Sequence, residues 1–365
     1  MRRLVAGALA TALLLGGCDY VDPDRMAIIT GAAIDWSRSG GYELTIEIVK
    51  TEGSSLDEPI ETQTFTAAAP SLDLAEQQLK VLCGAALYWG HAQSLVLSED
   101  AAKSVFAPIV DWVMRAGDLR LTVVIGVSDA ADAKAILAAE HSGSYAVGSA
   151  LAAAVRSSGF SARGAGSSAH RTVEAIEGSG AALLPVFSLA KQDEEREYAV
   201  VDGGAVMVGG SLAGFVNDRH ARDLLLLIGS SDSYELVRSD SGAYGLLLED
   251  LNSRMSAEIN GEGDAVVGFS LDGGCEIKYY DADSARPDDE ELRAMLDSAA
   301  ELLAVRVADA IDAARKLGAD VVDMTSALKP LVGDAATATA LGCKVKVEVN
   351  IELADTGLIA RSPLE

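Results

Sequence analysis

The longest amphipathic stretch of the sequence, residues 289–317, restricts how the C-terminal third of the chain can fold. Its apolar residues recur at three- and four-residue spacing, acidic residues stand at its start, and Gly318 follows as a stop signal. The pattern predicts a single helix of about 28 residues, roughly 42 Å long at 1.5 Å per residue. Because only one face of this helix is apolar, the helix needs another element to pack against.

Strand patterns around this helix provide that element. Residues 344–353 alternate strictly between apolar and polar side chains, as a half-buried strand does. Two further strand-rich segments, 244–259 and 264–282, are separated by the turn signal Asn260-Gly261. We therefore expect a C-terminal α+β domain over residues 243–365, in which the long helix covers an antiparallel sheet.

The N-terminal part of the chain alternates between strand and helix patterns. Strand patterns lie at residues 26–36, 42–50, 94–97 and 119–127, and helix patterns at 72–86, from 98 onward and at 129–140. Ser71 and Ser98 are suitable helix caps, and Pro108 should kink or split the second helix. The Ser/Gly/Ala-rich stretch 142–180 is typical of a loop between helices. This order predicts an α/β domain over residues 26–191.

The composition changes abruptly at the charged segment KQDEERE, residues 191–197, which indicates a domain boundary. Short strands separated by glycine pairs follow, and then the helix pattern RHARDLLLLIG. These elements predict a small middle domain over residues 197–240. As a whole, the sequence predicts a multidomain α/β (α+β) protein with mixed sheets and packed helices.

The first seventeen residues have the pattern of a secretory signal peptide. Arg2 and Arg3 precede an uncharged apolar run, residues 4–17, which is shorter than the roughly 20 residues that a helix needs to span a bilayer. The ending Leu-Gly-Gly-Cys is similar to a bacterial lipobox, in which Cys18 is alkylated with diacylglycerol and becomes the new N-terminus. Residues 18–25 would then be a lipidated tether. The alternative is an ordinary cleaved signal with a cysteine nearby by chance.

The charge balance restricts the partners of the chain. The sequence has 29 basic and 55 acidic residues, a formal net charge of −26. Nucleic acids and anionic lipid headgroups both require clustered Lys and Arg, so we expect no affinity for either. Membrane attachment is therefore expected to depend on the acyl chains of Cys18 alone.

Cysteine and histidine usage gives no sign of a metal site. Cys83, Cys275 and Cys343 have no ligand spacing, and a disulfide between the last two stays open at this point. The histidines stand alone in the sequence, and His91 is expected to stabilise a turn through a hydrogen bond. The four histidines are His91, His141, His170 and His220.

No catalytic constellation emerges from the remaining polar residues. Ser211 lies in GGSLAG, which departs from a nucleophile elbow, so we assign it to a turn. The acidic runs 193–195 and 288–291 are assigned to solvated surface and helix capping. The sequence therefore predicts no catalytic residue, no metal and no cofactor, and a protein that binds or assembles.

The order of several short motifs resembles the Ger(x)C family, the lipoprotein C subunits of spore nutrient germinant receptors. The motifs extend over essentially the whole chain. They are GAAID at Gly31–Asp35, Gly90-His91 before SLVLSEDAA, Leu119-Arg120 before a buried strand, LLP, GGAVM, KLGADVVDM and the final Asp355-Thr356-Gly357.

The resemblance implies a function for the chain and for one residue. It implies a non-enzymatic subunit on the outer face of the spore inner membrane, which works with a polytopic A-type subunit and a transporter-like B-type subunit. It also implies three α/β domains, and the lipidated cysteine of the family corresponds to Cys18.

Two other classes of protein stay open at this stage. A solute-binding lipoprotein of an ABC importer should have two similar α/β lobes, whereas the two halves of this sequence differ in their patterns. A secreted hydrolase is opposed by the lack of a nucleophile and base.

Overall fold

A computed structural model of the chain describes most of the sequence from residue 26 onward. The predicted signal peptide, Cys18 and the tether lie outside the described residues, as do His141 and the acidic run 193–195. The described ranges are 26–37, 40–50, 61–139, 146–157, 167–191, 197–229, 231–239, 242–281 and 289–355.

The first part of the chain forms a nine-stranded mixed sheet. Its strand order is β3-β2-β1-β5-β6-β7-β8-β9, and β4 pairs with the beginning of β1. The strands are β1 (Met26–Trp36), β2 (Tyr42–Val49), β3 (Thr62–Ala69), β4 (Ala86–Tyr88), β5 (Ser94–Leu97), β6 (Val124–Ser128), β7 (Ala181–Lys191), β8 (Glu197–Val208) and β9 (Ser211–Val216). Strands β1, β5, β6 and β7 run parallel in the centre, and antiparallel hairpins extend the sheet on both sides.

Helices cover both faces of this sheet, which explains why β1 is buried along nearly its whole length. One face packs against α1 (Leu72–Cys83), α2 (Glu99–Ser104), α3 (Phe106–Arg115) and α6 (Ala169–Gly178). The other face packs against α4 (Ala133–Ala138), α5 (Val147–Ser157) and α7 (Asp218–Ile228).

The C-terminal part has the predicted architecture of a long helix on a sheet. Strands β10 (Ser231–Ser239), β11 (Gly242–Ile259), β12 (Ala265–Asp281) and β13 (Lys344–Asp355) form a four-stranded sheet in this order. The helix α8 (Asp289–Lys316) contacts β10 and β13, and the short helices α9 (Met324–Val332) and α10 (Ala336–Ala340) precede β13. The predicted α/β fold with mixed sheets is confirmed. The sheet is not wholly antiparallel, because β13 pairs in parallel with β12.

Residues that start or stop helices in the sequence predicted several helix ends correctly. Ser71 and Ser98 cap α1 and α2 by accepting hydrogen bonds from backbone N–H groups in the first turn. Pro108 lies at the third residue of α3, and the helix is split just before it, at Val105. Gly318 has φ 75° beyond the end of α8, a conformation that favours glycine.

Two expectations for the middle of the first sheet are wrong. The stretch 142–180 is not loop throughout, since it contains α5 and α6. The strand predicted over residues 119–127 is shorter, because β6 begins only at Val124 and the preceding residues form a turn.

The segment predicted as a middle domain, residues 197–240, does not form a sheet of its own. Strands β8 and β9 complete the nine-stranded sheet, and β10 begins the four-stranded one. Helix α7, between them, belongs to a buried apolar cluster that continues into β11, β12 and α8. The division into three domains stays a prediction. Among the described helices, none is long and apolar enough to cross a membrane.

Candidate functional site

A cleft of about 590 Å³ lies at the edge of the large sheet where β5 and β6 begin. Its wall comes from the turn before β5, the turn before β6, the end of α5 and the start of α6. The lining residues are Gly90, His91, Ala92, Gln93, Arg120, Thr122, Val124, Val155, Arg156, Ser167, Ser168, His170 and Arg171.

The cleft concentrates positive charge in an acidic protein. Arg120, Arg156 and Arg171 all line it, together with two histidines, and none of the described lining residues is acidic. The expectation that the chain has no cluster of basic residues is therefore wrong. Thirty-six residues separate Arg120 from Arg156 in the sequence, so no local run of basic residues signals the cluster.

Backbone hydrogen bonds hold the parts of the cleft together. The residues before α6 lie alongside the start of β6, with the N–H of Ile125 donating to Ser167 O at 2.7 Å and the N–H of Ala169 donating to Val123 O at 3.0 Å. On the other side, the N–H of Val124 donates to Gln93 O at 2.9 Å. The turn before β5 and the start of α6 therefore flank Val124 from opposite sides.

The ring of His170 contacts the turn before β6. Its Nδ1 lies 3.2 Å from the carbonyl oxygen of Leu121 and 3.1 Å from Ser168 Oγ. A carbonyl only accepts hydrogen bonds, so Nδ1 is the donor in the contact with Leu121. His91 packs edge-on against Tyr88, with ring centroids 5.6 Å apart, and this ring contact is what the structure shows in place of the expected hydrogen bond.

A buried carboxylate on β2 positions α5, the helix that carries Arg156. Glu47 is fully buried and accepts hydrogen bonds from the N–H groups of Val147 and Gly148, at 2.8 and 2.9 Å, and from the Thr30 hydroxyl at 2.7 Å. The carboxylate thus satisfies free N–H groups at the helix N-terminus and faces the positive end of its dipole.

Two glycines let α5 lie directly on β1. A Cβ on Gly148 would be 2.5 Å from Gly31 Cα, and a Cβ on Gly31 would be 2.8 Å from Gly148 Cα. Both clashes are with backbone, which cannot rotate away. This contact gives a physical reason for a glycine at the start of the GAAID motif.

The last residue of the same motif positions α4. Asp35 accepts hydrogen bonds from the N–H groups of Ala133 and Lys134, at 2.7 and 3.2 Å. Burial raises the pKa of this carboxyl above its usual value of 3.8, and the two backbone N–H groups counteract part of the effect. Strands β1 and β2 therefore each cap a helix that follows about a hundred residues later.

Two other residues singled out in the sequence, Ser211 and His220, lie at the start of a strand and of a helix. Ser211 begins β9 directly after the turn Gly209-Gly210, and its hydroxyl donates to Lys103 O at 2.8 Å. Ser211 therefore lies in the strand that follows the turn and not in the turn itself. His220 lies in the first turn of α7, which Asn217 caps.

The three described cysteines are free thiols. Cys275 pairs in register with Leu353, whereas Cys343 directly precedes Lys344, which pairs with Val266. Val266 lies nine positions before Cys275 on β12, about 30 Å at 3.3 Å per residue, and Cys343 lies one residue further away. A disulfide needs Cα atoms within about 7 Å, so the pairing left open by the sequence is excluded. Within the described ranges, no three His, Cys, Asp or Glu side chains are grouped to hold a metal ion.

Comparison with known proteins identifies the family. Residues 19–189 match the N-terminal domain of spore germination proteins. The chain belongs to the Ger(x)C family. The match contains every residue that lines the cleft and both capping carboxylates, so the candidate site lies in the Ger(x)C N-terminal domain.

A solved structure has the same fold. The crystal structure of the GerBC protein superposes with a TM-score of 0.56 over 92% of this chain and 100% of its own, at 13% sequence identity. At that identity the likeness applies to the fold. A comparison with curated protein sequences finds no match.

Proposed function

We propose that this Ger(x)C chain is the lipoprotein C subunit of a spore nutrient germinant receptor, anchored through diacylglycerol on Cys18. It would lie on the outer face of the spore inner membrane and assemble with a polytopic A-type and a transporter-like B-type subunit. Its role is assembly and signalling, without an enzymatic step or a cofactor.

The main support for this proposal is the match to the spore germination domain. The matched range begins at residue 19, directly after Cys18. A domain that starts at this point agrees with a mature chain whose first residue is the lipidated cysteine. The apolar run before it and the closing Gly16-Gly17 have the composition that a lipoprotein signal requires.

The importer alternative is less well supported. A solute-binding lipoprotein should have two similar lobes, but the two sheets formed by the described residues have nine and four strands and different topologies. The neighbouring genes offer a simple check, since two polytopic membrane proteins would favour the receptor and a permease with an ATPase would favour the importer.

Replacing Cys18 tests the proposal directly. Spores that carry Cys18→Ala should lose metabolic labelling of the chain by an alkyne analogue of palmitate, lose the chain from the inner-membrane fraction, and germinate poorly on the nutrient that the receptor serves. Cys83→Ala is the matched control, because Cys83 is a partly buried thiol on α1 and should leave all three readouts unchanged.

Two results would contradict the proposal. Retention of the acyl label in Cys18→Ala spores would exclude this residue as the lipidated one. Germination of those spores at the parental rate on every nutrient tried would show that anchoring is not required.

A further inference from the structure

We propose that the cleft between the starts of β5, β6 and α6 binds the phosphate group of an anionic phospholipid in the bilayer to which the chain is anchored. The proposal rests on the proposed function only in its choice of membrane. The cleft would give the protein a second contact with the bilayer besides the lipid on Cys18.

The chemistry of the lining fits a phosphate. The lining contains three arginines, although acidic residues outnumber basic ones by 55 to 29 in the whole chain. Guanidinium groups match the geometry of phosphate oxygens in a bidentate manner, and the hydroxyls of Thr122 and Ser168 add neutral donors. Arg171 also pairs with Glu174 at 3.1 Å, but Glu174 lies outside the lining.

The size of the cleft fits a headgroup better than a bare ion. Its volume of about 590 Å³ is in the usual range of small-molecule sites, about 300–1,000 Å³. A glycerophosphate headgroup carries its charge on the phosphate and additional hydroxyl-bearing atoms beside it. The polar residues Gln93 and Ser167 in the lining can contact such atoms.

The position of the cleft favours a membrane as the source of the phosphate. Strands β1, β4, β5 and β6 are parallel, so their first residues lie along one edge of the sheet. The cleft opens at this edge, and the described chain also enters there, at Met26, which pairs with Ala86. Cys18 precedes Met26 by eight residues, which span at most about 28 Å when fully extended.

Exposed apolar residues lie at the same edge. Val81 and Leu82, at the end of α1, are 82% and 56% exposed. Gly84, in the left-handed conformation with φ 63°, then turns the chain into β4 next to Met26. Apolar side chains at the same edge of the sheet as a cationic cleft are a combination that favours the interface of an anionic bilayer.

Arg219, at the opposite edge of the sheet, serves as a control for the arginines of the cleft. Strand β9 begins at the cleft edge and ends at the far one, where α7 starts, and Arg219 is exposed in the first turn of α7. Arg219→Glu changes the net charge of the chain as much as one substitution in the cleft does. Glu is also favourable near a helix N-terminus, so folding should be unaffected.

Vesicle co-flotation of the chain from residue 18, with Cys18→Ser to remove the acyl chains, tests the proposal. We expect binding to vesicles of equal parts phosphatidylglycerol and phosphatidylcholine at low salt, and at least 10-fold weaker binding to pure phosphatidylcholine. Arg120→Glu should reduce the binding at least about 5-fold and Arg120→Glu/Arg156→Glu at least 10-fold, whereas Arg219→Glu, which matches the single substitution in charge, should stay within about 2-fold of the parent. If the double Glu variant does not fold, Arg120→Gln/Arg156→Gln should still weaken binding about 5-fold.

Three outcomes would overturn the proposal. The parent chain could bind both kinds of vesicle equally, or Arg219→Glu could lose as much binding as the cleft variants. Alternatively, calorimetry could show saturable binding of inorganic phosphate while anionic vesicles do not bind, which would assign the cleft to free phosphate. None of these outcomes depends on acylation of Cys18, so they are distinct from a failure of the proposed function.

Discussion

The Glu47 carboxylate on β2 accepts a hydrogen bond from the backbone N–H of Gly148, 101 residues later in the chain, at 2.9 Å. A helix usually receives its cap from a residue just before it. Here the cap comes from the neighbouring sheet, so the first turn of α5 forms its cap only when β2 and β1 are in place. The position of Arg156 in the cleft therefore depends on a buried carboxylate in another element.

Removing this cap should destabilise the protein strongly. Glu47→Ala leaves the N–H groups of Val147 and Gly148 buried without this acceptor, and leaves the hydroxyl of Thr30 with only the backbone carbonyl of residue 47, at 3.4 Å. We expect the free energy of unfolding to fall by about 3 kcal/mol or more, measured by urea denaturation. Glu61→Ala, which removes an exposed ion pair with Lys50, should cost less than about 1 kcal/mol. Equal losses in the two variants would contradict the capping role.

The contact between α5 and β1 should not tolerate a methyl group. Gly148→Ala places a Cβ 2.5 Å from both Thr30 O and Gly31 Cα, well inside van der Waals contact. We expect a loss of about 2 kcal/mol or more in unfolding free energy, because α5 must move away from the sheet. Gly178→Ala, at the end of α6, meets nothing within 4 Å and should be neutral or slightly stabilising. A neutral Gly148→Ala would show that the helix does not lie this close.

Asp35 should give the protein a distinct pH dependence. Burial raises the pKa of this carboxyl above 3.8, so the folded state holds the proton more tightly than the unfolded state. Its contribution to stability is then fully present below pH 3.8 and is lost as the pH rises through the higher pKa of the folded state. Asp35→Asn has no such titration.

We therefore expect the unfolding free energy of Asp35→Asn, relative to that of the parent, to increase as the pH rises from about 3.5 to about 7. Urea denaturation at several pH values measures this difference. The lost acceptor oxygen lowers the stability of the variant at every pH and does not affect the slope. A difference that stays flat or decreases with pH would contradict the raised pKa.

An ion pair joins the helix that follows the large sheet to the long C-terminal helix. Arg306 on α8 donates to Asp223 on α7, with Nε 3.3 Å from Oδ2, and the Asp223 side chain is only 1% exposed. Arg306→Met removes a positive charge from beside a buried carboxylate, so we expect a loss of about 3 kcal/mol in thermal or urea unfolding.

Two companion variants separate the buried charge from other effects. Arg306→Met/Asp223→Leu should be more stable than Arg306→Met alone, since no buried charge is left. Arg222→Met, which removes an exposed partner of Asp218 on the same helix, should cost less than about 1 kcal/mol. A double variant that is less stable than Arg306→Met would contradict this account.

The described thiols should differ sharply in reactivity. Burial, and then the nearby Glu249 and Glu276, raise the pKa of the Cys275 thiol to about 11, and its side chain has no exposed surface. With Cys18→Ser, iodoacetamide at about pH 8 should label Cys83 first, while Cys275 should react at least about 100-fold more slowly until the protein is unfolded. Mass spectrometry of the digested protein gives the order. Rapid labelling of Cys275 in the native protein would contradict its burial.

Predictions from local sequence patterns succeeded where the deciding residues lie within one turn of each other. The caps Ser71 and Ser98, the stop at Gly318 and the Asn260-Gly261 turn all act on backbone groups a few residues away. The alternation in β13 depends only on the geometry of an extended chain beside a covered sheet. These signals were sufficient to predict the fold class and the long helix.

Helix α5 was missed for a specific reason. Its small residues, VGSALAAAVRS, resemble a flexible segment, and the capping group that normally marks a start is Glu47, far away in the chain. Its helical state is supported by burial against β1 and by the approach that Gly31 permits. Neither contact can be read from the residues adjacent to the helix.

The sequence by itself determined the overall acidity and most strands and helices, and it predicts the signal peptide that ends before Cys18, because each depends on composition or on neighbours along the chain. Only the tertiary structure decided that Arg120, Arg156 and Arg171 line one cleft, and that Cys275 and Cys343 lie far apart on their strands. Strand order and register bring distant segments together or keep them apart, and these depend on the packing of the whole sheet. A chain with a net charge of −26 can therefore present a cationic site that its composition conceals.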